Sequence, residues 1–218
     1  MNAAGRNALL ALLLALGLAT TAAAQEWADR FNAYLVSPDY LDAIAEQLDL
    51  IEKEVAPECV HVVDSADRVA IRIRREPAFE AGIDWPVAGQ WREQLAVERC
   101  GREVLHNLLV TAAPDRPPHF TLLLPGSTLA KPETQVAAAR PVVAVAEGRY
   151  GRECPAGMRQ IVETRFDGWR DGSEGRPPAE QTWRETWTVR LCERTVDVNI
   201  TFEPNGKGGR TWTIDIAR

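Results

Sequence analysis

Apolar and polar residues alternate with a period of two along several segments of the C-terminal half. The alternation runs through Trp183–Leu191, Val196–Phe202 and Trp212–Ile216. One apolar and one polar face is the pattern of a strand with one side buried. The segment Pro204–Gly209 contains Asn and several Gly, which accept the positive φ of tight turns, and it predicts a hairpin between the last two strands.

Strand patterns also occur in the N-terminal half. Val69–Ile73 alternates apolar with basic residues, whereas Val104–Val110 and Phe120–Leu124 are more continuously apolar. Together these segments predict a small antiparallel meander of about four strands in each half of the chain.

A period of three to four residues appears between Ser37 and Val55. Ser can cap a helix, Pro suits its first position and Asp suits the positive end of its dipole, so Ser37-Pro38-Asp39 favours a helix start. An apolar face follows at Leu41, Ile44, Leu48, Ile51 and Val55. The polar residues between them, Glu52 and Lys53 included, are assigned to the other faces. We expect this amphipathic helix to pack on a sheet; a partner-binding or dimerising helix is the alternative.

Two segments between the strands lack a clear period. Residues 130–148 are rich in Ala, Pro and Val, and we interpret them as a linker that includes one short strand around Val142–Val145. Asp167–Pro178 is rich in Asp, Gly, Arg and Pro, which predicts a mobile loop. Trp169 lies in this stretch and is therefore the tryptophan that we expect to be most exposed.

The strand segments of the two halves share residues at matching positions. Aligning Trp91 with Trp183 without gaps gives eight identities in the 17 positions from 91 to 107. Chance gives about one identity over such a length, so the chain is interpreted as a duplication of one module.

The cysteines follow the same duplication. Cys100 aligns with Cys192, and each has an upstream cysteine preceded by Glu, at Cys59 and Cys154. An even number of cysteines behind an export signal predicts disulfides. Because each copy of a module carries its own bridge, we predict the pairs Cys59–Cys100 and Cys154–Cys192.

The N-terminus has the parts of a secretory signal peptide. One Arg precedes the short apolar run Ala8–Leu18, and the small residues Ala22–Ala24 follow it. The run is shorter than the roughly 20 residues of a membrane span, so we expect cleavage after Ala24, with an uncleaved anchor as the alternative. No later apolar stretch is long enough to span a bilayer.

These observations predict an α+β fold, in which an N-terminal amphipathic helix precedes two similar, mostly antiparallel β modules with one disulfide each. The predicted segments are a signal peptide at 1–24, a helical segment at 25–55, the first β module at 56–129, the linker at 130–148 and the second β module at 149–218.

Charge and motifs exclude several functional classes. The net charge is −6 and no basic block is present, which argues against a nucleic-acid partner. The three histidines, His61, His106 and His119, have no metal-ligand spacing, and no serine stands in a nucleophile motif. We therefore predict no cofactor, no metal and no catalytic residue.

Two further residue types are candidates for chemistry. Glu93 and Glu185 recur in both copies after Trp-Arg, so a glycosidase carboxylate pair is conceivable. Structural pairing of each Glu with an Arg is the simpler interpretation. Most of the seven tryptophans suit the cores of small β modules, whereas Trp169 is our candidate for contact with a ligand or partner, such as the sugar rings of a glycan.

The second copy resembles a family of small secreted proteins of Gram-negative bacteria. In that family a Trp-x-Glu-x-Trp-x-Val strand leads to a Cys, then to a strand ending in Phe-x-Pro and to Gly-Gly. The matching residues lie between Trp183 and Ile214, with a fainter echo at Trp91–Thr111 that has Leu95 in place of the second Trp. The resemblance implies export and a β module, and it implies no activity.

The expected protein is therefore periplasmic or secreted. We expect a non-enzymatic binding or accessory protein of the cell envelope, whose partner is a protein or glycan of that envelope. The alternative is an envelope hydrolase that acts on glycan or peptide.

Overall fold

The computed structural model describes residues 26–59, 67–150, 154–155 and 158–216. The predicted signal peptide and His61 lie outside these residues. The described chain contains helix α1 over residues 26–35, helix α2 over Pro38–Val55 and helix α3 over Pro132–Tyr150. Its strands form two four-stranded antiparallel sheets, so the predicted α+β class with two similar modules is confirmed.

Each sheet is a meander in which the strands follow their sequence order. The strands of the first sheet are β1 Asp67–Ala78, β2 Ala88–Arg99, β3 Arg102–Ala113 and β4 Arg116–Leu122. Those of the second sheet are β5 Arg159–Trp169, β6 Trp183–Leu191, β7 Arg194–Pro204 and β8 Arg210–Ile216. Each sheet therefore follows a long helix, α2 in the first half of the chain and α3 in the second, and the first half has the additional helix α1.

Helix α3 corrects the predicted linker at 130–148, and the short strand predicted at Val142–Val145 is wrong. A short apolar run fits a buried helix as well as a strand. The buried residues Ala138, Val142 and Ala146 recur every four positions, which is the period of a helix. Pro132 occupies the first turn, where its missing N–H has no cost.

Helix α3 packs against all four strands of the second sheet. Ala138, Val142 and Ala146 share one buried cluster with residues of β5, β6 and β7. The rings of Trp183 and Phe202, which are paired across β6 and β7, stack with centroids 5.0 Å apart. Small residues on the helix and large aromatic residues on the sheet together fill this core.

An aromatic cluster fixes the start of α2. Trp91 is fully buried, donates its indole N–H to the Tyr40 hydroxyl at 3.2 Å, and meets the Phe31 ring edge-on at 5.0 Å. Tyr40 is buried, whereas Leu41, which the apolar pattern had assigned to the packed face, is exposed. The face of α2 is thus shifted by one residue at its first turn.

Both predicted disulfides are confirmed, Cys59–Cys100 and Cys154–Cys192. In each pair the first cysteine follows a helix. The second stands in the two-residue turn between the middle strands, with positive φ of 48° at Cys100 and 54° at Cys192. Each bridge therefore joins the end of a module's helix to its central hairpin.

The stretch after β4, residues 123–127, is held by backbone hydrogen bonds on two sides. Gly126 N donates to Leu105 O, and Ser127 N donates to Thr164 O, both at 2.7 Å. Gly126 has φ +94°, and a Cβ there would overlap the backbone of Thr164. Only glycine fits this close approach of two backbones.

The chain forms two compact units, whose boundary crosses α2 and the first sheet. Among the described residues, one unit contains residues 26–50 with Ile71–Arg92 and Leu109–Thr121, and the other contains the described residues of 51–70, Glu93–Leu108 and the described residues from Leu122 onward. The aromatic cluster belongs to the first unit. Both disulfides and the sites described below belong to the second.

Candidate functional site

The acidic residue Glu52 of α2 is buried, which corrects its predicted position on a polar face. Its exposed fraction is 0 %. Glu52 lies four residues after the buried Leu48, which places it on the same side of the helix. A carboxylate in such a position requires charged or hydrogen-bonding partners.

Arg99 and His106 supply those partners. Arg99, at the end of β2, donates from Nε to Glu52 Oε2 at 2.8 Å and from Nη2 to Oε1 at 2.7 Å. His106 of β3 places Nε2 2.5 Å from the same Oε1. The bidentate Arg–carboxylate geometry is the strongest form of this ion pair. We call these three residues the buried triad.

Electrostatics keep Glu52 ionised. Burial by itself raises the pKa of its carboxyl group, but the hydrogen bonds and charges of Arg99 and His106 outweigh burial and lower the pKa from 4.5 to about 2. Glu52 and Arg99 therefore carry opposite charges near neutral pH, and together they are neutral.

His106 has one nitrogen that the triad does not use. The residue is 1 % exposed, and its Nδ1 has no hydrogen-bond partner among the described residues. The contact with Glu52 therefore engages only one of the two ring nitrogens of His106.

The second module has apolar residues at the positions of the triad. Ala146 and Glu52 both lie fourteen residues after the Pro that opens their helix. The Trp91–Trp183 alignment matches Arg99 with Leu191 and His106 with Val198. All three counterparts, Ala146, Leu191 and Val198, are buried. The same arrangement of helix and strands thus forms without a buried triad.

Glu93 and Glu185 are both fully buried, and their partners differ. Glu93 accepts from Arg68 Nε at 2.8 Å, which confirms the Arg–Glu pairing for this residue. Glu185 instead accepts from the indoles of Trp183 and Trp187, at 2.7 and 2.8 Å, and the hydrogen bonds found for it include no Arg. The Arg–Glu prediction is therefore wrong for Glu185.

Leu129 also contributes to the Glu185 site, since its backbone N–H donates to the carboxylate at 2.8 Å. The first module has Leu95 at the position of Trp187, so it lacks the second indole donor there. The two glutamates therefore hold their surroundings together in different ways, and each is a structural acceptor.

Trp169 is the last residue of β5, so the predicted loop begins after it rather than before it. Its indole is half-buried and meets Trp183 at 6.3 Å and Phe166 at 5.2 Å, both edge-on. Contact of Trp169 with a ligand remains a prediction. His119 is exposed on β4 and is not a member of the triad.

An apolar groove that no sequence pattern indicates lies beside α3. Its volume is about 340 Å³. The walls are the segment Leu122–Pro125, the part of α3 from Pro132 to Val143, and Arg159–Ile161 at the start of β5. Val136 of α3 is 77 % exposed in this groove. Exposed aliphatic side chains around a concavity are typical of binding surfaces.

The polar side chains of the groove are fixed by neighbours. Arg159 Nε lies 2.8 Å from Glu147 Oε1 and also donates to the carbonyl of Cys154. Gln160 accepts at 2.7 Å from Arg190, whose other terminal nitrogen donates to the carbonyl of Val55, the last residue of α2. The polar rim is thus ordered before any ligand binds.

The fold and these sites define a two-module α+β protein with one disulfide per module, a buried triad and an apolar groove within the described residues. A scan against protein-family models finds no match for the chain, and neither do searches of curated proteins and of solved structures. Within the described residues, no helix has the length and apolar character needed to cross a membrane. The same residues contain no group of three or more metal-binding side chains.

Proposed function

We propose that the chain is a periplasmic or secreted, non-enzymatic binding or accessory protein of the cell envelope, whose groove takes an extended apolar segment of an envelope protein. The apolar groove beside α3 is the observation that carries this proposal. The disulfides support it, because such bridges persist in oxidising compartments. The signal-peptide pattern and the resemblance to secreted proteins also favour export.

The chemistry of the groove favours peptide over glycan. Leu122, Val136 and Val143 offer aliphatic contact, and the polar side chains of Gln135, Arg159 and Gln160 also line the groove. Sugar sites combine aromatic platforms with many hydrogen-bonding groups, whereas aliphatic clefts take apolar side chains. A volume of about 340 Å³ is at the small end of ligand sites, which suits a few side chains of an extended segment.

The buried triad argues against the alternative of a hydrolase. A Glu–His pair at 2.5 Å is the geometry of an oriented general base. A general base, however, must come within hydrogen-bond reach of the proton it abstracts. His106 is 1 % exposed, so substrate could reach it only after the core opened.

The groove is tested with two matched valine substitutions. Phage-displayed peptides are selected on the oxidised protein, and binding of the enriched peptides is measured by fluorescence anisotropy. Val136→Glu places a charge in the groove, and we expect it to weaken binding by at least about tenfold. Val36→Glu is the control, because Val36 is also an exposed valine, at 65 %, and does not line the groove.

Two results would count against the proposal. One is the absence of any enriched peptide. The other is equal binding by the wild-type protein and Val136→Glu. Titration with soluble peptidoglycan fragments, followed by tryptophan fluorescence, tests the glycan alternative. Fluorescence quenching that persists in Val136→Glu but is lost when Trp169 is replaced would indicate a sugar site outside the groove.

A further inference from the structure

The open edge of the second sheet runs along one wall of the apolar groove. Strand β5 is the outermost strand of this sheet, and its first residues, Arg159–Ile161, line the groove. An outermost strand has a neighbouring strand on one side only. The N–H and C=O groups of its alternate residues therefore point away from the sheet and require another partner.

The pairing with β6 identifies the outward residues at the start of β5. Cys192 N donates to Met158 O at 3.0 Å, and the register of the following pairs continues from this bond. Bonded and non-bonded pairs alternate along an antiparallel ladder. Gln160 therefore bonds to β6, whereas Arg159 and Ile161 direct their backbone N–H and C=O groups away from it.

Further along β5 the same outer edge is already covered. After a register shift beyond Ile161, the outward position falls on Thr164. Thr164 N donates to Pro125 O at 2.9 Å, and Ser127 N donates to Thr164 O at 2.7 Å. The stretch 123–127 thus satisfies the edge of β5 from Thr164 onward.

The covering stretch leaves the edge before it reaches the start of β5. Leu124 N donates to the side chain of Gln135 on α3, at 3.0 Å, and not to β5. Among the described residues, the outward backbone groups of Arg159 and Ile161 have no hydrogen-bond partner. Ile161 is 8 % exposed, and an unpaired backbone N–H at so buried a position is rare in folded proteins. These groups therefore indicate a missing partner in the groove.

The other walls of the groove define what that partner must be. Val136 and Val143 of α3 offer aliphatic contact, and the guanidinium of Arg159 is already paired with Glu147. A matching ligand therefore carries donors and acceptors along one side and apolar groups on another. An extended polypeptide has this arrangement, because its N–H and C=O groups lie along its edges while its side chains alternate between its faces.

We propose that the start of β5 binds its partner by strand addition. An extended segment of an envelope protein lies in the groove, pairs its backbone with Arg159 and Ile161, and turns every second side chain toward Val136 and Val143. This inference rests on the peptide-binding function proposed above and adds the main-chain mode of recognition. The two edge residues are about 7 Å apart along the strand, so the paired segment has about three to five residues. Main-chain pairing accepts many sequences with apolar residues at alternate positions.

Amide hydrogen exchange resolved by NMR tests whether the edge is open in the oxidised protein. Without peptide, we expect the amides of Arg159 and Ile161 to exchange at least about tenfold faster than that of Gln160, which bonds to β6. An enriched peptide from the selection described above should slow both amides by about tenfold and leave Gln160 unchanged. Equal protection of all three amides in the free protein would overturn the inference.

Methylation of single peptide nitrogens tests the main-chain pairing from the side of the ligand. Each backbone nitrogen of an enriched peptide is methylated in turn, which removes one donor and keeps every side chain. We expect binding, measured by fluorescence anisotropy, to weaken by about tenfold or more at alternate positions only. The intervening positions are the matched controls, because their N–H groups point away from β5.

The outcomes separate the mode of binding from the proposed function. A peptide that binds, is weakened by Val136→Glu and shows no alternation on methylation supports the function and overturns strand addition. Absence of any peptide binding contradicts both. Sedimentation velocity covers a third outcome, since self-association that the peptide displaces would assign the edge to a second copy of this chain and overturn the choice of partner.

Discussion

Replacing Glu52 by alanine isolates the energetic role of the buried triad. The substitution leaves the guanidinium of Arg99, whose side chain is 10 % exposed, without the two hydrogen bonds that neutralise it. It also removes the acceptor of His106. Breaking a buried ion pair by removing one partner costs about 3–5 kcal/mol. For a chain of this size, this corresponds to a fall in Tm of roughly 6–20 °C.

A second variant converts the first module to the arrangement of the second. It combines Glu52→Ala, Arg99→Leu and His106→Val with Leu95→Trp, since Trp187 occupies that position in the second module. Replacing a buried ion pair by packed apolar residues is often neutral or stabilising, so we expect a stability within about 1 kcal/mol of the wild-type value, or above it. The indole N–H introduced by Leu95→Trp should also have an acceptor, because Glu93 corresponds to Glu185, which accepts the Trp187 indole N–H.

Urea unfolding of the oxidised proteins, followed by circular dichroism at neutral pH, gives both free energies. The argument requires a large loss in the single variant and its recovery in the combined variant. A loss of less than about 1 kcal/mol in Glu52→Ala would show that the triad is not a buried ion pair. A combined variant as unstable as the single one would show that the two modules do not share equivalent positions.

Three further predictions concern acid, one glycine and one disulfide. The pKa of Glu52 is about 2 in the folded protein, compared with the reference value of 4.5, and this difference corresponds to about 3 kcal/mol of stability. That contribution is present above pH 4.5 and is lost as the pH falls toward 2. Urea titrations across this window should therefore show a shrinking stability difference between the wild-type protein and Glu52→Ala. Gly126→Ala should lower the free energy of unfolding by more than about 3 kcal/mol, because the added Cβ overlaps the backbone of Thr164. Gly82→Ala is the control, since Gly82 has a similar positive φ but open space around it, and it should lower the free energy by about 1 kcal/mol. Equal losses in the two variants would show that the overlap is absent. Joint replacement of Cys154 and Cys192 by serine opens a loop of 38 residues and should cost about 4 kcal/mol in chemical denaturation, and a loss below about 1 kcal/mol would contradict a stabilising bridge.

Strands and disulfides could be predicted because their signals are local or repeated. The alternation of Val196–Phe202 agrees with a buried face of β7, and its pairing with Trp183–Leu191 follows from the two-residue turn between them. The duplication reduced three possible disulfide pairings to one. Each of these inferences used residues close in sequence or two copies of the same pattern.

Helix α3 was missed because its sequence supports two interpretations. Pro141 stands inside the helix, on its exposed side, and an interior proline ordinarily argues against a helix. The apolar run after it fits a strand equally well. Comparison with α2 contained the missing signal, since Pro132 precedes Cys154 by almost the same distance as Pro38 precedes Cys59.

The triad could not be found from sequence, because its members are distant and its acid resembles a surface residue. Glu52 is separated by 47 residues from Arg99 and by 54 from His106. A helical pattern assigns any Glu to the polar face, although Glu52 follows Leu48 by one turn. Glu52 is buried because β2 and β3 pack against the end of α2, and this tertiary contact has no signal in the local sequence. The groove could not be predicted either, because its three wall segments are separate in sequence and share no common pattern.

The disulfides join neighbouring cysteines, the first with the second and the third with the fourth. A chain that enters an oxidising compartment from its N-terminus therefore exposes Cys100 to Cys59 before Cys154 has arrived. Oxidation in order of appearance gives the native bridges, so the export proposed above would require an oxidant but little disulfide isomerisation. Each half could close its own bridge while the rest of the chain is still being delivered.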